Sequence, residues 1–405
     1  MCFMNERHTN LSWWGPPKKF DERKNERKIS WLELFYDLVY VAAIAQVTHH
    51  LSNHLSWHEL LFSFLLFSLI FWSWINGSQY YDLHGSDSIR TRLLTFWQML
   101  GVAAVAITIP DAYEGHHQNF AIAFAIIELL ITYLWWSVGI YDRSHRVFNI
   151  YYTVNYLIAF ALLITSVFFT NGTAMILWVI VLVLNLTPGL IGARTVVTVL
   201  KQRGQVFSAS ATLVERFGLF TIIVLAESIL GTVNGIAEVK DKAPSAWIAF
   251  ILGILISFLL WSIYFDMTSE QETKKGYSYL QWFLILHFPL LMALSVIGAC
   301  FKILLTGILV GVSNEVRWMF CIAIATILFV VVAITKIMEE DDESRSYIRP
   351  VSRLMVVISI CILLIPLFSN YIGTNGFLSV IAILLFIPVF IGVRSWVLYR
   401  FFDKR

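Results

Sequence analysis

Most side chains in this sequence that can hold a proton or a cation lie in its tail and loops, and a few stand inside long apolar runs. An ionised group in the middle of a membrane span costs about 2.5–3.5 kcal/mol on insertion scales, so each one needs a reason. Glu227 is the strongest of them. It is followed by Ser228, Gly231 and Asn234, a polar and small stretch suited to close helix contact or a solvent-filled cavity. The two readings are an ion-binding carboxyl and a protonated carboxyl that donates to a neighbouring helix. Asp37, one helical turn past Glu33, and Glu128 face the same choice. His287, two residues before Pro289, combines an imidazole that titrates near neutrality with a backbone carbonyl freed by the proline. A hydrogen-bonded helix-contact histidine is the plainer account of it.

A second group sits where helices begin or end. Ser30 with Glu33, and Thr212 with Glu215, match the S/T-x-x-E capping box, in which hydroxyl and carboxylate satisfy free amides at a helix start. Asp82, Asp266, Arg194 and Arg394 fall at helix ends in two pairs of corresponding positions. They suit either charge pairs that close one face of the protein or solvated anchors with snorkelling arginines. Trp135 and Trp136, downstream of Glu128, read as interface anchors. His49, His50, His54 and His58 are separated by a loop and lack any carboxylate–histidine motif, so no metal site is expected, and no cofactor. There is no CxxC, and Cys300, Cys321 and Cys361 lie in apolar runs as small hydrophobic residues.

These side chains need a membrane scaffold to hold them. The 405 residues are 58% hydrophobic and only 14% charged, a balance foreign to a water-soluble chain of this length. A formal charge of +2 excludes an electrostatic case for nucleic acid. Windows of about twenty apolar residues predict twelve spans, centred within Trp31–Leu51, Leu60–Asp82, Leu93–Ile109, Phe120–Ile140, Val147–Phe169, Ala174–Ala193, Thr212–Gly235, Ala246–Met267, Leu280–Leu304, Val316–Met338, Leu354–Phe368 and Phe377–Leu398. With both termini in the cytoplasm, all of the 29 Lys and Arg residues fall on the inner side except Lys240, Lys242, Lys302 and Arg317. The basic lead-in of residues 1–30 reads as a cytoplasmic tail rather than a cleaved signal.

Three collinear matches suggest an internal repeat: Ser30 to Phe35 with Thr212 to Phe217, Ser78 to Asp82 with Ser262 to Asp266, and Pro188 to Val197 with Pro388 to Val397. The expected organisation is therefore an all-α polytopic membrane protein of two parallel six-helix repeats, residues 31–203 and 204–405.

The run from Glu33 through Asp37 to Val41, together with Glu215-Arg216-Phe217-Gly218 and the segment leading to Glu227-Ser228, resembles the bacterial low temperature requirement A family over nearly the whole chain after the tail. The resemblance implies an integral membrane protein linked to growth in the cold. It adds Arg216 to the candidates at helix starts and supplies no substrate. Intramembrane acids on parallel repeats suggest a secondary transporter or exchanger of a small solute or ion in the cell membrane, coupled to a proton or cation. The alternatives are a lipid-active enzyme, a structural or stress factor, or a channel. No nucleophile–base arrangement favours the enzyme. Partner solute and oligomeric state are not legible.

The charge asymmetry gives a topology test. Single cysteines at Asn171 and Asn375 are expected to label from outside intact cells with an impermeant maleimide, and cysteines at Ser144 and Ser344 only after permeabilisation. Reversal at any one site breaks this orientation.

Overall fold

The computed structural model describes residues 15–19, 27–86, 88–142, 146–191, 208–240, 242–268, 271–308, 311–339, 342–368 and 371–398. Among them run twelve α-helices: α1 Trp31–Asn53, α2 Trp57–His84, α3 Ile89–Tyr113, α4 His117–Tyr141, α5 Arg146–Ser166, α6 Asn171–Ile191, α7 Ala211–Glu238, α8 Pro244–Thr268, α9 Tyr277–Thr306, α10 Asn314–Ile337, α11 Asp342–Phe368 and α12 Thr374–Leu398. Each contains a stretch long and apolar enough to cross a membrane. The protein is an all-α, multi-pass membrane protein, because helices satisfy their backbone groups internally where lipid supplies no partner. The extended pairing among the described residues is one isolated bridge, Thr273 with Met338.

Helix starts are sealed locally. Ser88, Ser210 and Ser313 each accept a hydrogen bond from an amide in the first turn of α3, α7 and α10. The cap of α7 is thus Ser210, and Thr212, expected to fill that role, lies inside the helix. α11 begins at Asp342, well before the apolar span expected from Leu354. Its charged first turns, which hydropathy passes over, continue as helix through Pro350 into the membrane stretch Ile348–Phe368.

Two compact units divide the chain. The first comprises residues 1–40 and 72–192, and the second residues 41–71 and 193–405. In the first, α3 packs on α4, α4 on α5 and α5 on α6, each neighbour in sequence being a neighbour in space. Its interior is aromatic and polar together. Trp135, expected at the interface, is buried and stacks on Tyr152 with ring centroids 5.0 Å apart, while Trp136 is exposed. Trp178 packs on Phe120 and donates from its indole nitrogen to Ser166 Oγ at 3.0 Å.

In the second unit α9 is the most enclosed helix and packs on α7, α8 and α10, while α12 packs on α8 and α11. Phe71, Phe217, Phe220, Phe283 and Phe288 form one aromatic cluster, with Phe71 and Phe288 edge-on at 4.8 Å. α7 and α9 meet backbone to backbone. A Cβ on Gly231 would lie 2.0 Å from the Gly298 carbonyl oxygen, and one on Gly298 would lie 2.6 Å from the Glu227 carbonyl oxygen. Between helices in lipid, such small residues replace hydrophobic burial with close van der Waals contact. Ser228 extends the contact toward α8 by donating to Ser257 Oγ at 2.9 Å.

This crossing yields a stability test. Gly298→Ala is expected to cost about 1–3 kcal/mol through backbone overlap, read as a lower unfolding temperature of purified protein in detergent. Gly172→Ala, where among the described residues no atom beyond its own stretch of helix lies within 4 Å of the added methyl, is expected to be neutral or slightly stabilising. Equal melting of the two variants contradicts the close crossing.

Candidate functional site

The membrane-depth side chains differ in how fully their hydrogen bonds are met. Glu128, in the middle of α4, is buried with 2% exposure. Asn185 of α6 donates from Nδ2 to its Oε2 at 3.1 Å, and α6 reaches that position because both helices pack against α5. Among the described residues the other carboxyl oxygen, Oε1, is buried without a hydrogen-bond partner, and so is Asn185 Oδ1. Two buried oxygens, both acceptors, therefore lack donors in one place. A proton or a cation supplies what they lack, whereas an apolar neighbour cannot.

Glu227, in the middle of α7, is half-buried. Its own backbone is pressed against Gly298, so the side chain leaves the α7–α9 crossing at its edge. Among the described residues its carboxylate has no hydrogen-bond or ion-pair partner.

Asp37 and His287 are engaged. Asp37 is fully buried in α1 and accepts from the Trp74 indole at 2.7 Å, beside a chain in which Tyr36 donates to the Tyr40 hydroxyl and Ser73 donates to the same oxygen. His287 Nδ1 lies 2.7 Å from the Phe283 carbonyl oxygen, which can only accept, so that nitrogen carries the proton. Nε2 is left as acceptor for the Tyr264 hydroxyl at 3.0 Å. The imidazole bonds the carbonyl one turn back in its own helix rather than that of Ile285, which Pro289 frees. Phe217 and Phe283 pack against the ring at 4.7 and 4.5 Å.

At the helix starts, Glu33 is held by several hydrogen bonds at once. Arg27 grips it with two nitrogens at 2.6 and 2.7 Å, and Ser30 adds its amide at 3.0 Å and its hydroxyl at 2.9 Å. Ser30 Oγ in turn receives the Glu33 amide at 3.3 Å, closing a capping box. Glu215, its counterpart in sequence, is exposed and takes no such part. It lines a cavity of about 440 Å³ with Gly218, Tyr264, Phe265, Gln271 and Glu272. Arg216 and Asp82 are buried, whereas Arg394 is exposed. Asp266 is exposed and accepts from Ser262. Arg194 lies outside the described residues.

Residues 28–389 match the family described as bacterial low temperature requirement A protein, LtrA. The chain belongs to the LtrA family. It is also similar to an uncharacterised protein of Rhizobium meliloti (strain 1021), with 25% identity over 270 residues that cover 63% of this chain and 62% of that protein. The LtrA match begins at Lys28, so Arg27, which grips Glu33, precedes it by one residue.

In this LtrA chain, sequence reasoning found the acids and missed their partners. Asn185 stands out as an amide at membrane depth, and that is the signal that pairs it with Glu128. Arg27 and Trp74 carry no such signal, because basic tails and tryptophans are common around membrane spans.

The Arg27–Glu33 grip is expected to behave as a coupled pair. Arg27→Gln and Glu33→Gln should each lower stability by about 1–3 kcal/mol, and the double variant should lose less than their sum. Ser30→Ala should cost about 1 kcal/mol. Additive losses in chemical unfolding of the three Arg27 and Glu33 variants would show that the grip contributes nothing of its own.

Proposed function

We propose that this protein is a secondary transporter or exchanger of a small solute or ion in the cytoplasmic membrane, with both termini inside and coupling through protons or a small cation. The observation that carries this reading is the Glu128–Asn185 pair, a buried carboxyl and a buried amide with one unpartnered oxygen each. A carboxyl kept only for helix contact is best served by filling both oxygens, as happens at Glu33. Leaving one empty in an apolar setting favours a group that gains and releases a small positive charge.

Glu227 adds a second ion-handling carboxyl, in the other unit and with its side chain partly open. In this reading Glu128 and Glu227 load and release the coupling ion. Asp37 orients the Trp74 indole, and His287 fixes the Tyr264 hydroxyl. The sequence matches between residues 31–203 and 204–405 support two parallel repeats, the architecture on which alternating-access carriers are built. Rim charges such as Asp82, Asp266, Arg194 and Arg394 then serve as gating candidates, with Glu215 and Arg216 at the mouth of the second repeat. A lipid-active enzyme has less support, because Glu33, its best-placed headgroup-level carboxylate, is already filled by Arg27 and Ser30.

The test is reconstitution in liposomes with an internal pH indicator, under an imposed pH gradient and a panel of alkali cations and small organic ions. Solute-dependent proton movement is expected for the unmodified protein. Glu128→Gln, which keeps size and one acceptor but cannot ionise, should reduce it at least about tenfold with normal insertion, and Glu227→Gln should act in the same direction. Growth of a gene-deletion host in the cold should follow the same order. Full proton coupling in Glu128→Gln would sink the reading.

A further inference from the structure

The second unit carries a cavity of about 570 Å³ between the end of α10 and the start of α11, apart from every acid discussed so far. Two helix faces form its walls. Val332, Thr335, Lys336 and Glu339 recur at helical spacing along α10 and just past its end, and Arg349, Ser352, Arg353 and Val356 do so along α11. Lys274, from the loop before α9, completes the lining.

That loop is held in place. The Thr273–Met338 bridge fastens it to the end of α10 through the Lys274 amide on the Ile337 carbonyl at 2.9 Å and the Glu339 amide on the Glu272 carbonyl at 2.7 Å. Lys274 Nζ then donates to the Lys336 carbonyl at 2.6 Å. Among the described residues, four basic side chains, Lys274, Lys336, Arg349 and Arg353, and one carboxylate, Glu339, line the space. Among the described residues Lys336 and Arg353 have no ion-pair partner. Among the same residues the Ser352 hydroxyl oxygen is buried without a hydrogen-bond partner as well.

We infer that this cavity binds the phosphate of an anionic phospholipid in the leaflet on the basic side of the membrane. The charge suits a phosphate, and the surroundings select a lipid over free phosphate. The walls turn apolar toward the membrane interior at Val332 and Val356. Beyond Arg353, the α11 residues Val357, Ile360, Leu364 and Leu367 form an exposed apolar stripe at alternating four- and three-residue steps. An acyl chain lies along such a stripe while its headgroup sits among the basic side chains. Basic pockets between spans on the cytoplasmic side take anionic headgroups by this combination of charge and depth. The site is independent of Glu128 and Glu227.

The experiment is native mass spectrometry of the full-length protein in detergent, offered equal amounts of phosphatidylglycerol and phosphatidylcholine, with inorganic phosphate added in a parallel series. Phosphatidylglycerol should be retained preferentially, and the Lys336→Gln, Arg353→Gln double variant should lose that preference by a factor on the order of ten. The charge-keeping Lys336→Arg, Arg353→Lys pair should retain it, as should Arg92→Gln on α3. Equal retention of the two lipids by the unmodified protein, or an undiminished preference in the double Gln variant, overturns the inference. Displacement of phosphatidylglycerol by millimolar phosphate overturns the assignment to lipid and leaves a site for a free anion.

Discussion

Lipid offers no hydrogen bond, and a side chain with polar atoms inside a span must find its partners within the protein or leave some of them unmet. Most of the polar groups in these helices obey that condition by local means. Serine and threonine hydroxyls at Thr48, Thr132, Thr221, Thr232 and Ser359 turn back onto carbonyls of their own helices. His287 divides its two ring nitrogens between a carbonyl and a tyrosine, and Asn76 gives its amide to Trp72 and takes the Tyr156 hydroxyl. Among the described residues Ser68, Ser78, Gln98 and Trp135 also keep a buried polar atom without a hydrogen-bond partner, but Glu128 is the carboxyl in that group.

The contrast between Glu33 and Glu128 shows what burial alone does not reveal. Both are almost inaccessible, at 1% and 2% exposure. Glu33 is surrounded by a guanidinium, an amide and a hydroxyl, so its negative charge is matched and its geometry is over-determined. Glu128 faces one amide donor. The first arrangement suits a hinge post at a helix entrance, and the second suits a group whose charge changes. A functional reading of intramembrane acids therefore turns on the partners rather than on depth.

The twelve spans were legible in the sequence because apolar runs of the right length leave few other assignments, and the helices begin and end close to those limits. The start of α11 was not, since a charged amphipathic segment resembles a loop to any measure of mean hydropathy. The chemistry-bearing residues were legible as types and not as environments. Glu33 and Glu215 look equivalent as members of the S/T-x-x-E pattern, yet one is buried in a salt bridge and the other is exposed beside a cavity. The difference comes from Arg27 and from the position of Ser210 two residues before Thr212, and neither is encoded in the S/T-x-x-E pattern itself. Trp135 likewise shares its residue type with the interface anchors, and only its stacking on Tyr152 separates it from Trp136.

At the crossing of Gly231 and Gly298 no side chain stands between α7 and α9. Helices separated by interdigitating side chains can slide, because rotamers readjust as ridges pass over grooves. Two helices joined carbonyl to Cα have no such play, and they form one stiff lever. Any tilt of α7 that changes the surroundings of Glu227 therefore drags α9 with it, and at the far end it moves Lys302, which bonds Glu238 at 3.2 Å and Asn53 at 2.8 Å. A displacement at the crossing would thus be felt directly at the Lys302 contacts with Glu238 and Asn53.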